Sequence, residues 1–196
     1  MPKPNLKKLL TEIRACQVCS AHLPHAPNPI VRAHANARLL LIGQAPGRRV
    51  NETGIPWNDP SGDTLREWLQ LSREQFYDER FVAIVPSGFC YPGTGKSGDL
   101  PPRPECAPLW HAPLLAAMPK IKLTLLIGGY AQAYYLKEDI QPTLTETVAN
   151  YVVYLPQFLP LPHPSPRNRL WFKRNPWFAD EVLPLLQKRV RAALED

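Results

Sequence analysis

The sequence predicts an α/β fold, a three-layer α/β/α sandwich around a central, mainly parallel four-stranded sheet. Continuous apolar segments at 38–43, 81–86 and 123–129 are the main basis for this prediction. Such segments, without polar alternation, are typical of strands that are buried on both faces, as in a parallel sheet. Helical patterns lie between them, and alternating strands and helices predict helices on both faces of the sheet.

The first predicted element is a helix over residues 5–16, where leucine and isoleucine recur at helical spacing. A loop with three prolines follows at 21–29, and a fourth, less clear strand is predicted at 157–161. The remaining helices are predicted at 62–71, 104–117 and 130–136, with a last helix near the C-terminus.

Three helix boundaries have residue-level predictions. Ser61 can cap the helix that follows it, because its hydroxyl can accept a hydrogen bond from a free backbone N–H. Asn175 can cap the last helix, which has Pro176 in its first position. Pro184 is expected to kink or split that helix, because proline lacks an N–H group.

The composition is that of an ordinary globular protein, with 44% apolar residues, and the 196 residues are expected to form one domain, residues 1–196. The sequence has no secretory pattern and no run of about 18 apolar residues that could span a bilayer. We therefore expect a soluble cytoplasmic protein, without membrane association, whose cysteines stay reduced. The net charge of +6 favours polyanionic partners, although a basic solvated surface would also account for it.

Three loops follow the predicted strands, at 43–62, 86–104 and 161–174. In open parallel sheets, ligands bind outside the carboxyl ends of the strands. Because these three loops should meet at that edge, we expect them to form the functional site together.

The four cysteines fall into two pairs. Two residues separate Cys16 from Cys19, and a glycine- and proline-rich loop of fifteen residues separates Cys90 from Cys106. Four thiolates suit a tetrahedral zinc ion or an iron–sulfur cluster, and a site closed by four cysteines would be structural or electron-transferring rather than hydrolytic. Spacing alone does not choose between the two metals, and four unrelated buried thiols are the alternative.

The first loop opens with GQAPG at 43–47, directly after a buried strand. Glycine permits backbone angles that other residues resist, so the N–H groups of this segment can face an anion or a water molecule. Farther along, Trp57 stands between prolines, where it can stack on a planar base or fill the core. The candidate substrate-binding residues of this loop are Gly43, Ala45, Pro46, Gly47 and Trp57, and Gln44 is a candidate catalytic residue.

The third loop contains HPSPRN, in which prolines on both sides of Ser165 stiffen the chain and hold His163 at a strand end. A histidine fixed in this way is a candidate catalytic residue as well as a structural one. Basic residues then surround Trp171 and Phe172, a pattern that suits a phosphate backbone with unstacked bases, although these aromatic residues can also belong to the core. The candidate nucleic-acid-binding residues are Ser165, Arg167, Asn168, Arg169 and Lys173.

Together these segments resemble the uracil-DNA glycosylase superfamily, and most closely its thermostable iron–sulfur branch. That branch has a G-E-A-P-G motif after its first strand, where this chain has GQAPG, and an aromatic residue after a G-x-P element, where this chain has Trp57. It also binds a cluster through CxxC and a later cysteine pair of similar spacing. HPSPRN is similar to the second motif of the single-strand-selective branch, and the resemblance runs from about Leu6 to the C-terminus.

The resemblance implies base flipping: a uracil or other deaminated base of single- or double-stranded DNA would rotate into a pocket, and its N-glycosidic bond would be hydrolysed in base-excision repair. His163 would donate a hydrogen bond to the leaving base, assisted by the backbone N–H groups of Gln44 and Ala45. The cysteines would bind a 4Fe–4S cluster, with zinc as the alternative. We expect the protein to act as a monomer.

Two departures from the family's pattern bear on catalysis. Gln44 replaces the carboxylate of the first motif and cannot act as a general base, so Asp59 and Asn51 become candidates to position water or read a base. Pro86 stands where the iron–sulfur branch has a base-reading asparagine, and Ser87 is the remaining substrate-binding candidate there. Two other interpretations stay open: a non-catalytic nucleic-acid-binding relative, and a zinc-bound protein that acts on a free nucleoside or nucleotide.

Overall fold

The fold is organised around a parallel β-sheet, seen in a computed structural model that describes residues 5–96 and 98–195. The sheet strands lie within the four apolar segments that the sequence pattern indicated. In chain order, the strands are β1 (Leu39–Ile42), β2 (Val82–Ile84), β3 (Thr94–Gly95), β4 (Gly98–Asp99), β5 (Leu123–Ile127) and β6 (Phe158–Leu161).

Four of these strands pair in the order β2-β1-β5-β6, and every pairing is parallel. β1 is one of the two inner strands, and its Leu39 is opposite Val82 on one side and Leu123 on the other. All residues of β1 and β5 are buried, as expected for strands that are covered on both faces. The parallel four-stranded sheet is therefore confirmed, while β3 and β4 form a separate antiparallel hairpin.

Helices cover both faces of the sheet and complete the three layers. Successive side chains of a strand point to opposite faces. Leu41 packs in an apolar cluster with residues of the helices at 60–69 and 183–194, and Leu40 packs in a second cluster with residues of the helices at 6–14, 106–117 and 129–136. The helices are α1 (Leu6–Arg14), α2 (Arg48–Thr53), α3 (Pro60–Leu69), α4 (Arg73–Tyr77), α5 (Cys106–Ala117), α6 (Gly129–Leu136), α7 (Leu144–Ala149), α8 (Arg169–Arg174) and α9 (Leu183–Leu194).

The start of α3 is set by Asp59, so the predicted Ser61 cap is wrong. Asp59 Oδ1 accepts a hydrogen bond from the backbone N–H of Gly62 at 2.9 Å. Pro60 takes the first helical position, where its missing N–H leaves no helical hydrogen bond unmade. The helix therefore begins before Ser61, and Asp59 is held at the end of the loop that follows β1.

The C-terminal helix has the disturbance expected near Pro184. A π-helical segment, Phe178–Val182, precedes α9, and Pro184 lies in the first turn of α9. The wider π turn accommodates a residue that lacks an N–H group and crowds the preceding turn. The predicted Asn175 cap is wrong, because Asn175 Oδ1 accepts instead from the Trp177 indole N–H at 3.2 Å.

No helix in the described ranges is long and apolar enough to cross a membrane.

His111 is buried within α5 and connects that helix to the loop after β2. Its Nε2 donates to the carbonyl oxygen of Pro86 at 3.0 Å, and its Nδ1 accepts from the Tyr135 hydroxyl at 2.7 Å. A carbonyl oxygen can only accept, which assigns the ring proton to Nε2. Burial lowers the pKa of His111 to about 4, so the ring is neutral at physiological pH.

The buried His111 should make the fold sensitive to acid. The folded-state pKa lies below the ordinary value of 6.5, so the unfolded chain binds more protons between pH 6.5 and about 4, and stability is lost as pH falls through that range. We expect the unfolding free energy of the wild type to fall between pH 7 and 5 by about 2 kcal/mol more than that of His111→Gln. Urea titrations of both proteins at the two pH values measure this difference, and parallel losses would contradict it.

Candidate active site

The carboxyl edge of the sheet holds a cavity of about 480 Å³. Residues from all three loops that the sequence pointed to line it: the loop after β1, the loop after β2 and the loop after β6. The predicted convergence of these loops is therefore seen in the structure. Their predicted residues that line the cavity are Gly43, Gln44, Ala45, Pro46, Gly47, Trp57, Asp59, His163, Ser165, Arg167 and Asn168.

The GQAPG segment is held from behind by the loop that follows β2. The backbone N–H and the hydroxyl of Ser87 both donate to the Gly43 carbonyl oxygen, at 2.8 and 2.9 Å. The Gly88 N–H donates to the Gln44 carbonyl oxygen at 2.9 Å. Ser87 is buried, and the structure places it behind Gly43 rather than in the cavity lining. Pro86, its neighbour, does line the cavity.

Trp57 is half-buried, and its backbone has a left-handed conformation with φ of 56°. The buried guanidinium of Arg66 donates to the Trp57 carbonyl oxygen at 3.1 Å. A Cβ at Gly62 would overlap that same oxygen, so only glycine fits there. A Cβ at Gly43 would lie 3.0 Å from the indole ring, which shows that the ring rests on the start of GQAPG. Trp57 is thus fixed by α3 and the first loop together.

His163 connects the third loop to the first. Its ring lies 5.5 Å from the Trp57 ring, centroid to centroid, at an angle of 31°. Asn168 Nδ2 donates to the His163 carbonyl oxygen at 2.8 Å and so stabilises the turn of HPSPRN. Burial lowers the pKa of His163, and the charges of Asp59 and Asp99 act in the opposite direction. The ring is therefore neutral at physiological pH and can donate one hydrogen bond.

Two carboxylates face His163 from different loops. Asp59 is the N-cap of α3, and Asp99 ends the β3–β4 hairpin within the loop between the last two cysteines. Both line the cavity. We did not predict Asp99 from the sequence, because a single aspartate in a glycine-rich loop resembles any solvated turn residue. Its position in a loop that follows a parallel strand was the only available indication.

Gln44 uses its side chain to hold the hairpin. Its Nε2 donates to the carbonyl oxygen of Leu100 at 3.2 Å. Arg167 lies against the other side of the hairpin, since a Cβ at Gly98 would be 2.5 Å from its guanidinium Nη1. Gly98 has φ of 136°, a conformation that favours glycine. The β3–β4 hairpin is thereby positioned over the cavity by the first and third loops.

The basic residues of the third loop divide into two groups. Arg167 lines the cavity, whereas Arg169 and Lys173 are exposed on α8, outside the lining. The aromatic residues between them are half-buried: Trp171 donates through its indole N–H to Thr145 Oγ1 at 2.8 Å, and Phe172 packs edge-on against Trp68. These aromatic residues therefore pack on the core and leave the cations of α8 to the surface.

A second cavity of about 600 Å³ lies beside the first and was not indicated by the sequence. Gln44, His163 and Asn168 line both cavities, so the two share a wall. The second cavity extends past the exposed Tyr130 at the start of α6 to the half-buried Trp171.

All four cysteines are free thiols and line one small cavity between the start of α5 and the segment after α1. The backbone N–H of Phe89 lies 3.4 Å from Cys106 Sγ, and the Cys19 thiol lies 3.7 Å from Glu105 Oε2. Burial raises the pKa of Cys90 to about 11 and that of Cys106 to about 12.

The arrangement of the thiols bears on which group they could hold. In the part of the chain that the structure describes, no group of three or more histidine, cysteine or acidic residues is spaced to hold a single metal ion. The four thiols nevertheless line a common space, and Cys106 Sγ can accept the Phe89 backbone N–H. Buried thiolates require a nearby cation, because burial alone favours the protonated thiol.

Comparison with known proteins agrees with this geometry. Residues 31–187 match the family model described as the uracil DNA glycosylase superfamily. A type-4 uracil-DNA glycosylase of Thermotoga maritima is 21% identical over 166 residues, which cover 83% of each chain. The matched segment contains the loops that line the cavity and the last two cysteines, Cys90 and Cys106. The chain therefore belongs to the uracil-DNA glycosylase superfamily.

Proposed function

We propose that this protein is a monofunctional DNA glycosylase of base-excision repair, which flips a uracil or other deaminated base into the cavity and hydrolyses its N-glycosidic bond. The observation that carries the proposal is the meeting of Trp57, His163 and two carboxylates in one cavity at the carboxyl edge of the sheet. The family membership and the relative named as a uracil-DNA glycosylase support the same reaction.

The cavity suits one flipped nucleotide. Its volume of about 480 Å³ falls in the ordinary range for small-molecule sites. Trp57 offers a flat apolar surface, its backbone is held by Arg66 and its ring rests on Gly43, so little entropy is lost when a base stacks on it. Pro86 and Gly43 add apolar contact and close approach of the backbone.

Two groups in the cavity match the charges that develop when the bond breaks. The leaving base gains negative charge, which the neutral His163 ring can stabilise by donating a hydrogen bond, with the backbone N–H groups of Gln44 and Ala45. The sugar gains positive charge, which the carboxylate of Asp59 can stabilise from the opposite loop. Gln44 takes part through its backbone and by holding Leu100.

The surface around the cavity suits a DNA strand. Arg167 at the cavity and Arg169 and Lys173 on α8 supply positive charge on one side, and Ser165 and Asn168 add hydrogen-bonding groups. Contacts of this kind position the phosphate backbone and carry no sequence preference of their own. We propose that single- or double-stranded DNA lies across α8 and that the protein acts as a monomer.

The groups available to recognise the base are the backbone N–H groups of Gln44 and Ala45 and the side chains of Trp57 and His163. The Ser87 hydroxyl is engaged with the Gly43 carbonyl, and Pro86 has no side-chain donor or acceptor. The cavity therefore lacks an amide from this loop that would bond uracil in a bidentate way. We propose a broader preference among deaminated bases, with uracil as one substrate.

For the cysteines we propose a 4Fe–4S cluster held by Cys16, Cys19, Cys90 and Cys106. The convergence of the four thiols on one space and the N–H of Phe89 beside Cys106 support it. When bound, such a group supplies covalent cross-links between distant segments of the chain. It would join the segment after α1 to the loop that carries the β3–β4 hairpin, and so would stabilise one wall of the active site.

The glycosylase activity can be tested with oligonucleotides that contain uracil, hypoxanthine or xanthine, single-stranded and paired. We expect abasic product from at least uracil-containing DNA. His163→Ala should lower the single-turnover rate by about 100- to 1,000-fold, because a preorganised donor to the leaving group is lost. His34→Ala, which changes a histidine outside the cavity lining, is the matched control. Absence of product from every oligonucleotide would contradict the proposal.

The stacking role of Trp57 predicts a graded response to substitution. Trp57→Phe keeps an aromatic face and should retain most of kcat/KM, whereas Trp57→Leu should lose about ten- to a hundredfold, because base–aromatic stacking contributes about 1–3 kcal/mol. Steady-state rates with one uracil oligonucleotide give the comparison, and equal rates for the two variants would refute stacking.

The cluster should give the purified protein a brown colour and an iron content of about four per chain. Cys90→Ser should lower both the iron content and the thermal midpoint, because ligand binding contributes folding free energy. Metal analysis and thermal unfolding under anaerobic conditions are the measurements. A colourless protein that contains zinc would overturn the cluster but leave the glycosylase proposal standing.

A further inference from the structure

We propose that Asp99 is the general base that takes a proton from the attacking water in the glycosylase reaction. This inference rests on the proposed function and assigns a residue that neither motif of the chain contains. Asp99 reaches the cavity from the β3–β4 hairpin, within the loop between Cys90 and Cys106.

The hairpin is held so that Asp99 faces the site. The Gln44 side chain donates to the carbonyl oxygen of Leu100, the residue after Asp99. Arg167 lies over Gly98, the residue before it. A Cβ on Gly47 would lie 3.3 Å from Asp99 Oδ2, which shows that the carboxylate stands directly against the GQAPG segment. The residues before and after Asp99 are therefore both held, and its carboxylate packs against Gly47.

Among the acidic groups of the cavity, Asp99 is better placed for proton transfer than Asp59. One oxygen of Asp59 caps α3 by accepting from the Gly62 N–H at 2.9 Å, so that oxygen is engaged with the backbone and the carboxylate is held in place. Asp99 is solvent-exposed, and within residues 5–96 and 98–195 no hydrogen bond to its carboxylate is seen. The Gln44 amide cannot accept a proton at all. We therefore assign Asp59 to stabilise the positive charge on the sugar and Asp99 to accept the proton of the attacking water.

The proposed step is balanced without a further reactant. The water oxygen bonds to C1′ of the sugar while one of its protons passes to Asp99. The bond from C1′ to the glycosidic nitrogen breaks, and its electron pair stays on the base, whose negative charge His163 and the backbone N–H groups stabilise. Asp99 then releases its proton to solvent and the base takes one from solvent, so the carboxylate is restored and the products are an abasic site and the free base.

A consequence is that the cysteine loop serves the chemistry as well as the fold. The hairpin that carries Asp99 lies between Cys90 and Cys106, so a group that cross-linked those two residues would restrict the loop that carries the carboxylate. The Gln44 side chain acts as a positioning group for the same hairpin.

The first arm of the test compares Asp99→Asn with Asp59→Asn and with Asp180→Asn, an exposed acidic residue outside the cavity, as the control. Single-turnover excision by Asp99→Asn should fall by about 100- to 10,000-fold, the contribution of a positioned general base. Formate should restore part of the activity of Asp99→Ala and none of that of Asp59→Ala. Thermal midpoints that match the wild type would show that all variants are folded.

The second arm does not need turnover. DNA with a cationic pyrrolidine at the target sugar resembles the charged transition state, whereas a tetrahydrofuran at that place is neutral. The wild type should prefer the pyrrolidine, because both carboxylates of the cavity lie near the cationic sugar. Asp59→Asn and Asp99→Asn should each lose about tenfold or more of that preference while tetrahydrofuran binding stays unchanged, because a base placed to take a proton at C1′ is also close to the cation.

The outcomes separate the two proposals. Active wild type with an unimpaired Asp99→Asn, or equal pyrrolidine preference in wild type and Asp99→Asn, overturns the role of Asp99 and leaves the glycosylase assignment intact. Wild type that excises no base but shows a pyrrolidine preference dependent on Asp99 overturns the glycosylase activity and supports the placement of the carboxylate. Wild type without any pyrrolidine preference also overturns the inference.

Discussion

The active site depends on one interaction, the hydrogen bond from the buried guanidinium of Arg66 to the backbone of Trp57. This guanidinium donates to the Trp57 carbonyl oxygen, forms an ion pair with Asp63 at 2.6 Å and lies 5.2 Å from the centre of the Phe76 ring. A left-handed backbone at a residue other than glycine costs about 1–2 kcal/mol, which this contact helps to offset at Trp57. Because the Trp57 backbone is held, its indole ring packs on Gly43 and against His163. The loops that follow β1 and β6 therefore form one continuous wall of the cavity.

The charged and polar residues of the cavity have different roles in the proposed reaction. Desolvation lowers the pKa of the half-buried His163, so the ring is neutral and can donate a hydrogen bond to the leaving base. The two carboxylates whose charges act on His163 belong to other elements: Asp59 caps α3, and Asp99 ends the β3–β4 hairpin. Gln44, which cannot take a proton, instead holds the hairpin that carries Asp99. The cysteine loop thereby contributes to the site, although the cysteines themselves line a separate cavity.

The sequence predicted the sheet and the three loops well, because continuous apolar strands and rigid proline-rich motifs are local patterns. It located Trp57 and His163 for the same reason. It did not predict Asp99, Arg66 or the true cap at Asp59, because each acts through a contact between segments distant in sequence or through a helix start that two neighbouring polar residues could equally set. Ser87 was predicted to bind substrate, but its hydroxyl donates a hydrogen bond to the Gly43 carbonyl oxygen instead.

The most direct test of the proposed active site is a crystal structure with DNA that contains 2′-fluoro-2′-deoxyuridine, whose glycosidic bond resists cleavage. We expect the base to leave the stack and to occupy the cavity between the first and third loops. Its ring should contact Trp57, a carbonyl oxygen should accept from His163, and Asp99 should face C1′ of the sugar. A base that stays in the helix, or that lies in the second cavity beside Tyr130, would contradict the proposed active site.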